Sequence, residues 1–413
     1  MATFTGLAGD DNFTGTFQSD LFDLDLGGDD IAKGKGGNDI FLLGAALTTA
    51  DRLDGGAGAD GLNLEGDYSA GLFFGVTTAL NFEALNLAAG YDYNITFRDV
   101  TNSSLSGFSV QGYLLGAADS LIFDGSAETT QRFIVTPGLG DDQVTTGAGI
   151  DFLHMELGGR DRASGLGGDD HIYFSNTMEA SDRADGGDGF DTLYLSGDYR
   201  LNFGPNTIRN IESFFLSAGS NYKFVLDDGN VSAFNVLLIV ASNLTGSDKL
   251  VVNGAAETDG MLDLRGSTGK DSLTGGGSND NLDGGDGADL LVGGAGDDRL
   301  AGGAGHDELT GGADQDTFDF DEGHSPFGNP DRILDLGLND IVDLSGIDAR
   351  QSVGGDQALV LVASFTGAEG QLMLDYHSVT NTTDILMDTD GDSAADQIIV
   401  ADGNRTGFTQ FVL

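Results

Sequence analysis

The sequence predicts an all-β chain, folded as a parallel β-roll or β-helix solenoid. Two observations predict this fold. Six nine-residue units follow one another without a break between residues 266 and 319. A longer strand-rich segment occurs twice, since NFEALNLAAGYDYNITF (81–97) matches NIESFFLSAGSNYKFVL (210–226) at an offset of 129 residues (210 − 81). Both copies are rich in Leu, Phe, Val and Ile, broken by Gly, Asn and Asp, which is typical of short strands joined by turns.

The six units share one pattern of glycine, aspartate and an apolar residue. They read GSTGKDSLT, GGGSNDNLD, GGDGADLLV, GGAGDDRLA, GGAGHDELT and GGADQDTFD. The sixth position is always aspartate, at Asp271, Asp280, Asp289, Asp298, Asp307 and Asp316. The eighth position is always apolar, at Leu273, Leu282, Leu291, Leu300, Leu309 and Phe318. We interpret each unit as a six-residue turn followed by a three-residue strand, with glycine where the turn needs a positive φ or a close backbone approach.

Two such units return the chain to its starting side, so eighteen residues form one coil. The eighth-position residues then point inward, because side chains alternate along a strand. The aspartates stack in two columns, with Asp271, Asp289 and Asp307 on one edge and Asp280, Asp298 and Asp316 on the other. Two buried leucines per coil cannot offset the entropy of ordering it. The stacked carboxylates must therefore be protonated or share a cation.

Composition favours a cation as the partner. The chain of 413 residues has 67 acidic and 18 basic residues, a formal net charge of −49. Such a charge repels nucleic acid and anionic lipid. The chain has no cysteine, which excludes disulfides and thiolate metal sites. A site made of carboxylate and carbonyl oxygens suits a hard cation, and calcium tolerates irregular coordination better than magnesium. We therefore predict bound Ca²⁺.

The same unit recurs less regularly earlier in the chain. An N-terminal group offers sixth-position aspartates at Asp11, Asp20, Asp30 and Asp39, and a middle group offers Asp142, Asp151, Asp161 and Asp170. Single units, GGAGADGLN and GGDGFDTLY, add Asp60 and Asp191. All ten are predicted calcium ligands, together with the six aspartates of residues 266–319.

These features predict six successive parts. They are N-terminal repeats (1–52), a strand-rich segment (53–136), middle repeats (137–181), its second copy (182–265), the regular repeats (266–319) and a C-terminal domain (320–413). No low-complexity linker separates them. The start of the sequence lacks the features of a secretory signal peptide, and its apolar runs are far shorter than a membrane span. We therefore expect a soluble protein without a transmembrane segment.

The units resemble the G-G-x-G-x-D-x-U-x repeats of RTX proteins, the hemolysin-type calcium-binding family. That resemblance implies calcium held between successive turns by the sixth-position aspartates and by backbone carbonyls. Ser267, Ser278 and Asp314 replace glycines of the pattern. Residues 314–348 and 384–403 resemble the C-terminal domain that follows the repeats in serralysin-type proteases. This second resemblance implies an uncleaved type I secretion signal near RTGFTQFVL (405–413), export by the type I machinery, and an extracellular or cell-surface location.

A second acidic loop lies in the C-terminal domain, at Asp388, Asp390, Asp392 and Asp396. It resembles the start of an EF-hand loop, but Ser393 replaces the glycine and the twelfth position is not acidic. A further calcium site and a solvated turn both remain open for this loop.

The function predicted from these features is that of a secreted calcium-binding protein which folds on binding extracellular calcium. A structural, surface-layer or adhesin-type role fits best, with cell-surface or extracellular glycans as a further class of partner. No H-E-x-x-H motif, G-x-S-x-G motif or P-loop is present, and we assign no catalytic residue. The alternative is a calcium-dependent hydrolase or lyase acting on extracellular polysaccharide. The acids common to the duplicated segments would carry it: Asp67 with Asp198, Glu83 with Glu212, and Glu128 with Glu257.

Overall fold

Every regular element of the described chain is a β-strand. The computed structural model describes residues 1–98, 107–326, 328–350 and 357–413, and those residues contain no helix. None of the elements described is therefore a helix that could cross a membrane. The residues divide into a first unit, 1–195 with 207–213, and a second unit, 196–206 with 214–413. The predicted all-β parallel solenoid is confirmed, whereas the predicted division into six parts stays a prediction.

The first unit winds its chain through two faces of parallel strands. One face is a continuous ladder of ten strands, in which each strand pairs with the one from the next coil. Its strands are Thr3–Thr5, Leu21–Asp23, Ile40–Leu42, Gly61–Leu64, Ala84–Leu87, Phe108–Gln111, Phe133–Thr136, Phe152–His154, His171–Ser175 and Thr192–Leu195.

The opposite face of the first unit is split into two parallel sheets. The shorter one contains Asn12–Thr14, Ile31–Lys33, Arg52–Asp54 and Ala79–Leu80. The longer one contains Tyr68–Phe74, Tyr93–Phe97, Leu121–Asp124, Gln143–Thr145, Arg162–Gly167, Arg183–Asp188 and Ile208–Arg209.

The second unit repeats the two-faced arrangement. One face pairs in the order Val236–Val240, Met261–Arg265, Asn281–Asp283, Arg299–Ala301, Thr317–Asp321, Ile341–Gly346 and Phe411–Val412. The other runs Tyr199–Asn202, Tyr222–Val225, Leu250–Asn253, Ser272–Thr274, Leu290–Ala295, Glu308–Ala313, Asp331–Ile333 and Gln397–Asp402. The strand Ser213–Leu216 lies between Tyr199–Asn202 and Tyr222–Val225 in the sequence. The short strand Asp286–Gly287 pairs with Ala304–Gly305.

The C-terminal domain changes the strand direction. Thr382–Asp388 pairs antiparallel with both Gln397–Asp402 and Gln371–His377, and the last strand of this edge is Val360–Leu361. Near the chain end, Phe408 is buried and Phe411 pairs with Val342. The tail from 405 to 413 is therefore docked on the folded domain.

The core is a thin column of inward-facing side chains. The eighth-position residues of all six regular units have no exposed surface, as the alternation of strand side chains requires. At the start of the first unit phenylalanine takes this place in some repeats: the rings of Phe22 and Phe41 stack with centroids 4.4 Å apart, and Phe4 stacks on Phe22 at 4.9 Å. Each coil thus buries one or two large apolar residues per face.

The tight turns place some non-glycine residues in the left-handed region of backbone conformation. Lys35 (φ 76°) and Leu166 (φ 70°) stand at the second position of their units, where glycine is usual, and Asp314 (φ 80°) stands at the fourth. The equivalent Gly294 has φ 121°. A side chain with a Cβ is strained in this region, so these positions cost stability that glycine would not.

We predict that Leu166→Gly stabilises the protein by about 1 kcal/mol, because it removes the left-handed strain of a half-exposed leucine. The matched control is Leu139→Gly, at an exposed leucine outside the left-handed region, where the added chain entropy should destabilise by about 0.5–1 kcal/mol. Thermal unfolding in calcium measures both changes. Equal destabilisation by the two substitutions would contradict this interpretation.

Candidate metal centre

The sixth-position aspartates lie buried between successive coils. Each of them ends a turn and directly precedes a strand, so the strand fixes its backbone. Fifteen of the sixteen predicted ligands expose no more than 3% of their surface, and Asp11 is half-buried. Aspartate is almost never buried to this degree without a partner for its charge. The partner of each carboxylate therefore decides whether these coils are stable.

One carboxylate oxygen of each aspartate is hydrogen-bonded along a column. The backbone N–H of Asp271 donates to Oδ1 of Asp289 (2.8 Å), and that of Asp289 donates to Oδ1 of Asp307 (2.7 Å). On the other edge, the N–H groups of Asp280 and Asp298 donate to the next aspartates, at 2.7 and 3.1 Å. The two predicted columns of alternating aspartates are present. The same bonds link the earlier repeats, from Asp11 to Asp30, Asp20 to Asp39, Asp39 to Asp60, Asp142 to Asp161, Asp151 to Asp170 and Asp170 to Asp191.

The columns also contain acids that the sequence analysis did not assign. The N–H groups of Asp30, Asp161, Asp307 and Asp316 donate in the same way to Oδ1 of Asp51, Asp182, Asp331 and Asp340, at 2.8–3.3 Å. Glu83 and Glu212 accept from Asp60 and Asp191 (2.6 and 2.8 Å). These coils are 21 to 24 residues long instead of 18. Because of these insertions, the acids do not fit a nine-residue pattern. An acidic residue directly before an apolar strand would have been enough to identify them.

The second carboxylate oxygen divides fourteen of the sixteen predicted ligands, all except Asp30 and Asp161, into two groups. In the first coil of each repeat group, Oδ2 accepts a backbone N–H from its own turn, as in Asp271 from Ser267 and Asp280 from Gly276 (both 2.5 Å). Asp11, Asp20, Asp142 and Asp151 are bonded in the same way. In later coils this oxygen has no hydrogen-bond partner although it is buried: Asp39, Asp60, Asp170, Asp191, Asp289, Asp298, Asp307, Asp316 and the unassigned Asp331.

Except at Asp331, the space in front of each unpartnered oxygen is kept open by a glycine. A Cβ on Gly293 would overlap Oδ2 of Asp298 and lie 2.6 Å from the carbonyl oxygen of Gly311 in the next coil. A Cβ on Gly284 would lie 2.7 Å from Oδ2 of Asp289 and 2.5 Å from the carbonyl oxygen of Gly302. Real Cβ atoms do not approach this closely, so the first glycine of the unit leaves a small space lined by carboxylate and carbonyl oxygens.

Burial raises the pKa of these carboxyl groups. It raises the pKa of Asp161, Asp170, Asp289 and Asp298 to about 8 and that of Asp191 to about 7, and neighbouring carboxylates in the column add to the shift. Asp20 differs: burial favours its neutral form, but hydrogen bonds from Thr16 and Ala2 outweigh burial and leave its pKa lowered. Burial still raises the pKa of Asp142, Asp151 and Asp280 to about 6 although their local turns donate N–H groups, so the later carboxylates, which lack such donors, need a positive partner more strongly.

The residues present fit a calcium ion. Six spaces offer a buried carboxylate oxygen without a donor and a backbone carbonyl from the next coil, and all of these ligands are oxygen; they lie at Asp39, Asp60, Asp170, Asp191, Asp289 and Asp298. A bound Ca²⁺ would supply the positive charge that keeps the column ionised at neutral pH. The assignment of individual aspartates as ligands stays a prediction.

The acids common to the duplicated segments lie in three different structural environments. Glu257 is fully buried and accepts the N–H of Gly260 (3.1 Å) and of Val231 (3.3 Å), and its counterpart Glu128 is also buried. Asp67 and Asp198 lie at exposed turns, where they accept the N–H groups of Ser69 (2.9 Å) and Asn221 (2.7 Å). Glu83 and Glu212 belong to the columns.

The C-terminal acidic loop brings three of its four acids together. Ligand oxygens of Asp388, Asp390 and Asp392 lie within 4.8 Å of one another, whereas Asp396 accepts the N–H of Thr389 (2.7 Å). Ser393 adopts φ 72°, the conformation that glycine supplies in an EF-hand loop. Both oxygens of Asp388 accept N–H groups of the turn, from Gly391 and Ser393. A calcium site and a hydrogen-bonded turn both stay predictions here.

Two family models match the chain. The model described as Peptidase M10 serralysin C terminal matches residues 228–413, which include the six regular units. The model of the RTX calcium-binding nonapeptide repeat matches residues 138–154, 157–175 and 177–198. The chain carries RTX calcium-binding repeats and a serralysin C-terminal domain. Both resemblances seen in the sequence are thereby confirmed, and so is calcium as the ion that the RTX repeats bind.

Similarity to other proteins is more distant. No curated protein matches the chain in sequence. Among solved structures, the chain is similar to the "Solution Structure of AlgE6R3 subunit from the Azotobacter vinelandii Mannuronan C5-epimerase", with 23% identity and a TM-score of 0.23. The match covers 41% of this chain and 80% of that one. At this TM-score it carries no conclusion about the function of the RTX repeats.

We predict that Asp298→Asn lowers the free energy of unfolding in calcium by roughly 1–3 kcal/mol, because it leaves a buried polar group unsatisfied. Asp297→Asn is the matched control, since Asp297 is exposed and its Oδ1 accepts the N–H of Gln315 (3.0 Å), which an amide oxygen also does. That change should stay within about 0.5 kcal/mol. Urea unfolding in saturating calcium measures both, and equal effects would argue against a buried cation partner for Asp298.

We predict that the metal-free RTX coils are more stable in acid than in base. Folded-state pKa values of about 6 to 8 lie above the ordinary aspartate value of 3.8, so the folded chain binds more protons than the unfolded one. This stability is complete near pH 4 and is lost as the pH rises through the range from 6 to 8. The far-ultraviolet circular dichroism β-signal of metal-stripped protein between pH 5 and pH 8.5 tests it, at about 1 M salt to screen exposed charges. A β-signal that does not fall with rising pH would contradict the prediction.

Proposed function

We propose that this chain is a secreted protein of a structural, surface-layer or adhesin type, which stays unfolded at low calcium and folds on binding extracellular calcium. The observation that carries the proposal is the set of buried, unpartnered carboxylate oxygens in front of the glycine-lined spaces. A fold that buries these carboxylates without a cation is destabilised, because their negative charges have no positive partner. Calcium binding and folding are then the same event, since the unfolded chain holds no formed site.

The charge of the chain suits this switch. At a formal net charge of −49, the metal-free chain repels itself at neutral pH and favours an extended state. Extracellular calcium-binding modules bind in the range of about 10⁻⁴–10⁻³ M, above cytosolic calcium concentrations. The chain would therefore remain unfolded inside the cell and fold outside it.

The position of the C-terminal tail supports export before folding. Phe408 is buried and Phe411 is paired in a sheet, so the folded domain covers the tail that resembles a type I secretion signal. A transporter that reads this tail would need it exposed. The low-calcium, unfolded state meets that requirement, and folding after export would then make release irreversible.

The placement of the shared acids favours a structural role over polysaccharide cleavage. Glycoside hydrolysis uses two carboxyl groups that flank one bond. Here Glu257 is bonded to turn N–H groups, Glu212 lies in an aspartate column, and Asp198 lies at an exposed turn. The proposal thus assigns these three acids to the architecture of the coils.

We predict that far-ultraviolet circular dichroism of the full chain shows little β-structure in chelator and gains it cooperatively as calcium reaches the millimolar range. The hydrodynamic radius should fall in the same titration, because the extended polyanion collapses into coils. Magnesium at the same concentration is the control and should give a much weaker transition, since it requires near-ideal octahedral geometry. A β-signal in chelator at neutral pH that is as strong as the signal in calcium would contradict the proposed function.

A further inference from the structure

Both duplicated segments begin where an RTX column ends. After the single unit at 55–63, the column aspartate Asp60 donates its N–H to Glu83 instead of to another aspartate (2.6 Å). After the unit at 186–194, Asp191 does the same to Glu212 (2.8 Å). In return, the N–H of Glu83 donates to the carbonyl of Asp60, and that of Glu212 to the carbonyl of Asp191 (both 3.1 Å). A glutamate therefore occupies the next place of the column in both copies.

An asparagine two residues earlier completes the same arrangement. Asn81 and Asn210 adopt φ values of 55° and 46°, and their side-chain amides donate to Asp54 (2.7 Å) and Asp185 (2.8 Å). These bonds anchor the asparagine at the end of the column. The motif N-x-E thus stands at the same structural position twice, as Asn81–Glu83 and as Asn210–Glu212.

The asparagine carbonyl lines the last glycine space of each column. A Cβ on Gly55 would overlap the carbonyl oxygen of Asn81 and would lie 2.8 Å from Oδ2 of Asp60. A Cβ on Gly186 would overlap both the carbonyl oxygen of Asn210 and Oδ2 of Asp191. In the regular repeats, the glycine carbonyl of the next coil takes this place, as Gly311 does for Asp298. Asn81 and Asn210, which lie outside the repeats, therefore supply the carbonyl oxygen that a repeat glycine supplies elsewhere.

Each of these spaces contains a buried oxygen that has no donor. Asp60 exposes 1% of its surface and Asp191 none, and Oδ2 of each lacks a hydrogen-bond partner. A cation that joins this oxygen to the asparagine carbonyl and to the glutamate would neutralise the end of the column. Without such a cation, Asp60 would meet Glu83, and Asp191 would meet Glu212, with no positive charge between the two carboxylates.

We propose that each duplicated segment closes its column with a terminal calcium site. Asp60, the carbonyl of Asn81 and Glu83 form the first site, and Asp191, the carbonyl of Asn210 and Glu212 form the second. The ligands are all oxygen, which suits a hard divalent cation. These sites join the RTX repeats to coils that lack the repeat, so the segments extend the calcium-dependent fold beyond the nonapeptides. This inference rests on the proposed calcium-driven folding.

Native mass spectrometry of the full chain, at the free calcium concentration that just saturates the wild type, counts the bound ions. Glu83→Gln and Glu212→Gln should each lose one ion, and the double variant should lose two. Asp60→Asn with Asp191→Asn should also lose two. The glutamine oxygen still accepts the aspartate N–H, so the column geometry is kept while the charge is removed.

The control is Asp67→Asn with Asp198→Asn, which removes the same charge from the same two segments at exposed turns and should keep the wild-type count. A wild-type count in both the glutamate and the aspartate double variants would overturn the terminal sites, while leaving calcium-driven folding intact. A glutamate variant that loses every ion and all β-structure would also count against two independent sites. A wild-type chain that binds no calcium would instead remove the proposed function itself.

Discussion

The described coils depend on one constraint: a buried carboxylate oxygen needs a positive partner. In the columns, Oδ1 of an aspartate such as Asp289 or Asp307 accepts the N–H of the preceding aspartate, but nine buried aspartates beyond the first coils have an Oδ2 without a hydrogen-bond partner. The thin core of one or two apolar residues per strand layer gives little stability to set against this cost. A cation shared between coils satisfies the carboxylates and links successive coils, so neutralisation and cohesion come from the same interaction.

The composition of the repeat follows from that constraint. Glycine at the first position leaves room for an ion, as Gly293 does, and glycine at the second position supplies the positive φ of the turn, as Gly294 does. The eighth-position leucine fills the space inside the coil. Where the second glycine is absent, as at Leu166, the turn is kept at the cost of backbone strain. The repeat therefore tolerates substitution at the turn more readily than at the aspartate.

The sequence was sufficient to predict the solenoid, the two aspartate columns and the cation, because all three follow from residues at a fixed period. It did not reveal Asp331 or Asp340, since the coils that carry them are 24 residues long and their turns lack the glycine pattern. Glu83 and Glu212 were recognised as shared acids, but only the register of the coils places them in the columns. The difference between satisfied and unpartnered Oδ2 atoms was also hidden: Asp280 and Asp298 both hold the sixth position, but the N–H of Gly276 reaches Oδ2 of Asp280, whereas Oδ2 of Asp298 has no donor.

The most direct test of this account is an anomalous diffraction map from crystals of the full chain grown with calcium. Discrete anomalous peaks are expected in the glycine-lined spaces, each within coordination distance of Oδ2 of an unpartnered aspartate such as Asp289 or Asp298 and of a carbonyl in the next coil. Ordered water, or no density, beside these oxygens at saturating calcium would contradict it, because the columns would then be stable without a metal ion.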